Sequence, residues 1–114
     1  MKEEFLQKLQ NLIEERKNAT IEDSYVKSLF DAGVTKISEK VLEESLELLE
    51  ATLDQSEEKR EKVIHETADL WFHTMVLLSN EGIGIKEVIK ELESRFGKSG
   101  HIEKASREVS EEEK

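Results

Sequence analysis

The sequence predicts an all-α protein, a helical bundle built on a central antiparallel helix hairpin and completed by dimerisation. Three observations lead there. The 114 residues contain no proline and only 5 glycines, while the helix formers Glu, Leu and Lys are abundant. Apolar residues recur at three- and four-residue intervals through most of the chain. The run Ala68 to Leu78 is apolar around more of its circumference than one helix pair can cover, which implies a partner subunit and a homodimer.

Each element follows from its own pattern. Phe5, Leu6, Leu9, Leu12 and Ile13 define a first amphipathic helix ending near Lys17. The capping residues of Thr20 to Ser24 precede a short pattern of Val26, Leu29 and Phe30, which Gly33 terminates. Thr35 is placed to cap a third helix reaching about Leu53, and Asp54-Gln55-Ser56 breaks the pattern, with Ser56 placed to cap a fourth helix that runs to about Asn80. The short connection makes helices three and four an antiparallel hairpin. Glu81 to Gly84 reads as a turn, and Lys86 to Phe96 as a fifth helix with Val88, Ile89 and Leu92 on one face. Residues 1–107 are expected to form a single domain, and 108–114 a solvated acidic tail.

Composition narrows the function. A net charge of −10, with 39% of residues charged, repels nucleic acid and anionic membrane surfaces, so neither is an expected partner. No cysteine is present, which excludes disulfides and thiolate metal sites. No stretch approaches the roughly 18 apolar residues of a spanning helix, and the amino terminus is acidic and amphipathic rather than a basic leader; the expectation is a soluble cytoplasmic protein.

The most informative feature is a set of acids on helices three and four. At about 100° per residue, Lys36, Lys40, Glu43, Glu44 and Glu47 share one arc of the third helix, apart from an apolar stripe of Leu42, Leu46, Leu49 and Leu53. Glu66, Asp69 and His73 align on the fourth. Taken alone, Glu43, Glu44 and Glu47 describe a solvated helix face. Asp69 argues otherwise, because a carboxylate between Ala68 and Leu70-Trp71-Phe72 is costly unless something compensates it. If the two acidic faces meet, the carboxylates converge into a site for a hard divalent ion, Mg²⁺ or Mn²⁺. A di-iron centre is disfavoured, since the chain holds no Glu-x-x-His pair.

The pattern Glu43-Glu44-x-x-Glu47, a spacer, then Glu66-x-x-Asp69 resembles the signature of the all-α nucleotide pyrophosphohydrolases. Within that group the chain most resembles the phosphoribosyl-ATP pyrophosphohydrolase family of histidine biosynthesis. Ser24-Tyr25-Val26-x-x-Leu29 with Gly33, Lys40-Val41-x-Glu43-Glu44, Ala68-Asp69-Leu70-x-x-His73, Arg95 to Gly100 and Glu103 to Arg107 carry the likeness. One departure is Leu42, where the family commonly has glycine beside the paired acids; it removes no ligand.

The resemblance implies hydrolysis of the α–β phosphoanhydride of phosphoribosyl-ATP, giving phosphoribosyl-AMP and pyrophosphate. It implies that Glu44, Glu47, Glu66 and Asp69 hold Mg²⁺, with Mn²⁺ as the alternative, and that Glu43 completes the catalytic set by helping to hold a second ion or by orienting water. Lys36 and Lys40 are candidates for phosphate contact, the alternative being pairing with Glu43 and Glu44 along the helix. Lys98 and Ser99, after Gly97, are placed to curl around an anion, and Lys104 and Arg107 to reach a neighbouring subunit's substrate, the alternative for each being an exposed tail residue. His73 reads as a hydrogen-bonded core histidine or as a donor behind the acids, and Trp71 as a core or dimer contact. Two rival functions stand beside this one. One is a house-cleaning pyrophosphohydrolase for noncanonical nucleoside triphosphates, the other a noncatalytic acidic helical adaptor.

Overall fold

The computed structural model describes residues 2–18 and 24–96, and within them the chain forms five α-helices and no strand. They are α1 (Lys2–Lys17), α2 (Tyr25–Ala32), α3 (Val34–Thr52), α4 (Lys59–Asn80) and α5 (Ile85–Phe96). None of these helices is long and apolar enough to cross a membrane. Residues 97–114 fall outside the described part, and with them Lys98, Ser99, Lys104, Arg107 and the expected tail.

The caps explain where the helices begin and end. The Ser24 hydroxyl accepts a hydrogen bond from the Lys27 amide at 3.3 Å, satisfying one of the free donors at the start of α2. Gly33 joins α2 to α3 through a single residue. Its amide donates to the Leu29 carbonyl at 3.1 Å, its carbonyl accepts from the Ile37 amide at 3.2 Å, and its φ of 95° would strain any residue with a Cβ. Thr35, expected to cap α3, therefore lies inside the first turn, because Gly33 already occupies the cap. Ser56 likewise does not cap α4, which starts at Lys59. Its hydroxyl instead accepts from the Glu58 amide at 3.2 Å, within a connection clamped by Asp54. One Asp54 oxygen accepts from the Ser56 amide at 2.6 Å and the other from the Lys62 ammonium at 2.5 Å. The Lys62 and Ser56 hydrogen bonds hold the Asp54 carboxyl well below the usual carboxylate range.

Helix α3 packs most extensively against α4. Ile37, Glu44 and Ala51, spaced seven apart on one face, are buried. The opposite face carries Leu42, Leu46, Leu49 and Leu53, which remain 52–79% exposed. The acid-bearing face of α3 is thus the covered one, and the leucine stripe is open.

Helix α1 covers the C-terminal half of α4. Lys17 donates to the Ser79 carbonyl at 3.1 Å, the Ser79 hydroxyl donates to the Glu14 carboxylate, and Gln10 donates to the Ile83 carbonyl at 3.1 Å. Ile13, Ile37 and Val76 are nearly or wholly inaccessible, each contributing about 1.5–3 kcal/mol by burial. The apolar run from Ala68 is therefore enclosed around His73, Met75, Val76 and Ser79, whereas Ile64, Ala68 and Trp71 stay exposed. These elements belong to the unit Met1–Ile83. The second unit, Gly84–Lys114, contains α5, where Ile85 is buried, Val88 and Ile89 are half-buried, and the Gly84 amide donates to the Glu87 carboxylate at 2.7 Å.

Candidate active site

Three carboxylates meet where α3 faces α4. Glu44, buried on the Ile37–Ala51 face, and Glu47, one turn along, come from α3; Glu66 comes from α4. A ligand oxygen from each lies within 4.8 Å of the others. Glu44 Oε2 and Glu66 Oε2 are buried and have no hydrogen-bond partner. Burial, reinforced by the hydrogen bond to Glu47 and by the charges of Glu47, Asp69 and Glu66, pushes the Glu44 carboxyl up to about 7. Glu66 is raised for the same leading reasons, burial and then Glu47, with His65 opposing.

This arrangement fits a hard divalent cation. Two buried, unpartnered carboxylate oxygens and the mutual repulsion of three acids are costly in the absence of a counterion. An oxygen-only set of this kind suits Mg²⁺ or Mn²⁺.

Asp69 sits at the edge of the cluster. Its side chain is 39% exposed and its Oδ2 lies 3.2 Å from His65 Nε2; with Glu66 these two form a second trio of possible ligand atoms within 4.8 Å. Glu66 is common to both trios. The neighbours Ala68 and Trp71 are themselves exposed, so the apolar run does not bury Asp69 in a core of this chain, as its flanking residues suggested. His65 escapes a reading centred on the apolar run, although its spacing of four from Asp69 is visible in the sequence.

Glu43 is exposed and lies outside both trios, 3.5 Å from the Lys40 ammonium. Lys40 thus makes the helix pairing that was its alternative role, and the charges of Tyr25, once ionised, and of Glu43 push its ammonium above the ordinary lysine range. Lys36, exposed on the same arc, makes no ion pair among the described residues.

Behind the cluster lies His73, only 5% exposed. Its Nδ1 is 2.9 Å from the Asp69 carbonyl oxygen and 3.5 Å from Glu44 Oε1, and its Nε2 is 2.7 Å from the Tyr25 hydroxyl. Both readings of His73 hold together, since it is a hydrogen-bonded buried histidine that also touches an acid of the cluster. Burial raises the Tyr25 hydroxyl above its ordinary range, with Lys40 opposing and Glu44, Glu43 and Asp69 adding to the shift, so Tyr25 remains a donor.

An open groove of about 500 Å³ adjoins Glu47 and Glu66 and is further lined by Glu50, Ala51, Asp54 and Lys62. Its acidic wall suits a cation or a cation-bound anion far better than a bare polyanion.

Fold and site together define an all-α protein with a helix-borne carboxylate cluster suited to a divalent ion. The chain belongs to the phosphoribosyl-ATP pyrophosphohydrolase family, which it matches over residues 6–96. It is 47% identical over 105 residues to the phosphoribosyl-ATP pyrophosphatase of Vesicomyosocius okutanii subsp. Calyptogena okutanii (strain HA), spanning 92% of this chain and 97% of that relative.

Proposed function

We propose that this chain hydrolyses phosphoribosyl-ATP at the α–β phosphoanhydride, releasing phosphoribosyl-AMP and pyrophosphate, the second step of histidine biosynthesis. The observation that carries the reading is that the family match, residues 6–96, spans both helices whose carboxylates converge. Glu44, Glu47, Glu66 and Asp69 would hold Mg²⁺, with Mn²⁺ able to replace it. Bound there, the ion would neutralise phosphate charge and lower the pKa of water.

The chain's own residues supply positioning. Glu44, fixed by burial, and Glu66 present oxygens that no protein donor occupies. We assign Glu43, exposed and paired with Lys40, to orienting the attacking water or helping with a second ion, and Lys40 and Lys36 on the same arc to phosphate contact. Lys98, Ser99, Lys104 and Arg107 are proposed as further substrate contacts on the strength of the resemblance.

The assembly we propose is a cytoplasmic homodimer of single-domain subunits, residues 1–107, each built on an antiparallel α3–α4 hairpin. The order of cross-helix pairs supports the hairpin, since Asp54 meets Lys62 and Glu44 meets His73. The open stripe of Leu42, Leu46, Leu49 and Leu53, together with Ile64 and Trp71, supports the dimer, because so much exposed apolar surface is unusual on a monomer.

Pyrophosphate release from phosphoribosyl-ATP, measured beside ATP and noncanonical nucleoside triphosphates, tests the function. A strong preference for phosphoribosyl-ATP is expected. Equal turnover of all of them would favour the house-cleaning activity, and no metal-dependent release from any would favour the adaptor.

A further inference from the structure

The Asp69 carbonyl can only accept a hydrogen bond, so the contact at 2.9 Å requires the proton on His73 Nδ1. In the neutral ring Nε2 then offers a lone pair, to which the Tyr25 hydroxyl donates at 2.7 Å. His73 Nδ1 also lies 3.5 Å from Glu44 Oε1, a close contact rather than a second hydrogen bond, while Glu44 Oε2 has no partner. From this geometry we infer that Tyr25 and His73 are positioning residues: the Asp69 carbonyl sets the tautomer of His73, Tyr25 pins the ring through Nε2, and the pinned ring keeps its Nδ1 edge against Glu44 Oε1, steadying an acid whose other oxygen has no partner.

The link crosses three helices. Tyr25 belongs to α2, His73 to α4 and Glu44 to α3, and Tyr25 and His73 are 48 residues apart. The two rings meet edge to face at 5.8 Å, and Phe72 packs edge to face on His73 at 5.2 Å, so the imidazole has little freedom to turn. Without the Tyr25 hydroxyl, Nε2 is left buried with no donor, and the ring loses the hydrogen bond that keeps it against Glu44. A carboxylate oriented from behind by a fixed imidazole is a recurrent device for tuning metal ligands. The inference rests on the proposed role of Glu44 as a ligand, and its test separates the two.

The full-length metal-free protein, ¹⁵N-labelled, is compared as wild type, Tyr25→Phe, His73→Asn and His73→Leu. The wild-type His73 resonances should show a protonated Nδ1 and an unprotonated Nε2, and Tyr25→Phe should shift and broaden them as Nε2 loses its donor and the ring its anchor. Mn²⁺ binding, followed by electron paramagnetic resonance, should weaken about 10-fold in Tyr25→Phe, near the low end for a partner of a metal ligand. On phosphoribosyl-ATP at saturating Mg²⁺, kcat should fall while KM holds. His73→Asn keeps a donor near the Nδ1 position and should retain more Mn²⁺ affinity than His73→Leu. Lys27→Ala breaks an exposed pair with Asp31 on the same helix and should leave tautomer and affinity at wild-type values. Tyr25→Phe with unchanged His73 resonances, or with changed resonances and unchanged Mn²⁺ affinity, would overturn the inference. A wild type that shows the His73 tautomer but binds no Mn²⁺ would instead remove the metal-site reading, and the inference with it.

Discussion

Glu44 and Glu66 face one another from α3 and α4, and each leaves one carboxylate oxygen buried without a partner. Two such oxygens beside Glu47 make the metal-free site electrostatically unfavourable. The same groups are what a divalent ion requires, so an ion bound there would relieve that cost.

Mg²⁺ should therefore stabilise the protein. A ligand that binds only the native state adds about 2.7 kcal/mol at a free concentration about one hundred times its Kd. For a domain of this size that is a rise in Tm of about 10 °C or more. Thermal melts with and without Mg²⁺ check it, and Glu44→Gln with Glu66→Gln should abolish the rise.

The metal-free protein should lose stability as pH rises from about 5 to 8. A carboxyl that titrates near 4.5 when unfolded and at about 7 when folded favours the folded state fully below 4.5, and that contribution disappears as pH passes 7. Glu66 acts in the same direction. Asp54 acts oppositely, since its lowered pKa gives stability above 3.8 that is lost only in stronger acid. Denaturant midpoints across this range check the slope, which Glu44→Gln should flatten. Because binding displaces the Glu44 proton, Mg²⁺ affinity should rise with pH up to about 7.

Helix positions are legible in the sequence because their signals are local, as Ser24 and Gly33 illustrate. Which face of α3 turns inward is not. Helical phase groups Glu44 with Ile37 and Ala51, and Leu42 with Leu46 and Leu49, but hydropathy alone would bury the leucines. Glu44 is carried inward on the buried face of Ile37 and Ala51, and its meeting with Glu66 of α4 is a long-range juxtaposition that no propensity records. The Tyr25–His73 contact is hidden for a similar reason, since it joins residues 48 apart with no shared pattern.

The leucine stripe should be an interface between two copies of the chain. Leu46→Glu and Leu49→Glu keep good helix formers at exposed positions of α3, so each should preserve helicity while weakening association. Light scattering should report a dimer for wild type and a shift toward monomer for the variants. A wild type that stays monomeric at micromolar concentration would contradict the assembly.

Asp69→Asn separates site from scaffold. Asp69 is partly exposed, and its ionic neighbour is His65, itself 70% exposed, at 3.2 Å. A pair so open to solvent contributes at most about 1 kcal/mol, so the variant's metal-free denaturant midpoint should stay close to wild type. Removing one acid also reduces repulsion on Glu44 and Glu66, which offsets even that loss. Turnover should behave differently, because an amide keeps the shape of the carboxylate but not the charge proposed to hold the ion. The loss there should reach several orders of magnitude, with a smaller Mg²⁺-induced rise in Tm. A structural acid serving a buried cation would show the reverse: removing it would strand the partner at a cost of about 3–5 kcal/mol. Melts of wild type and Asp69→Asn, each with and without Mg²⁺, distinguish the two, and a large loss of metal-free stability would refute the metal-site role of Asp69.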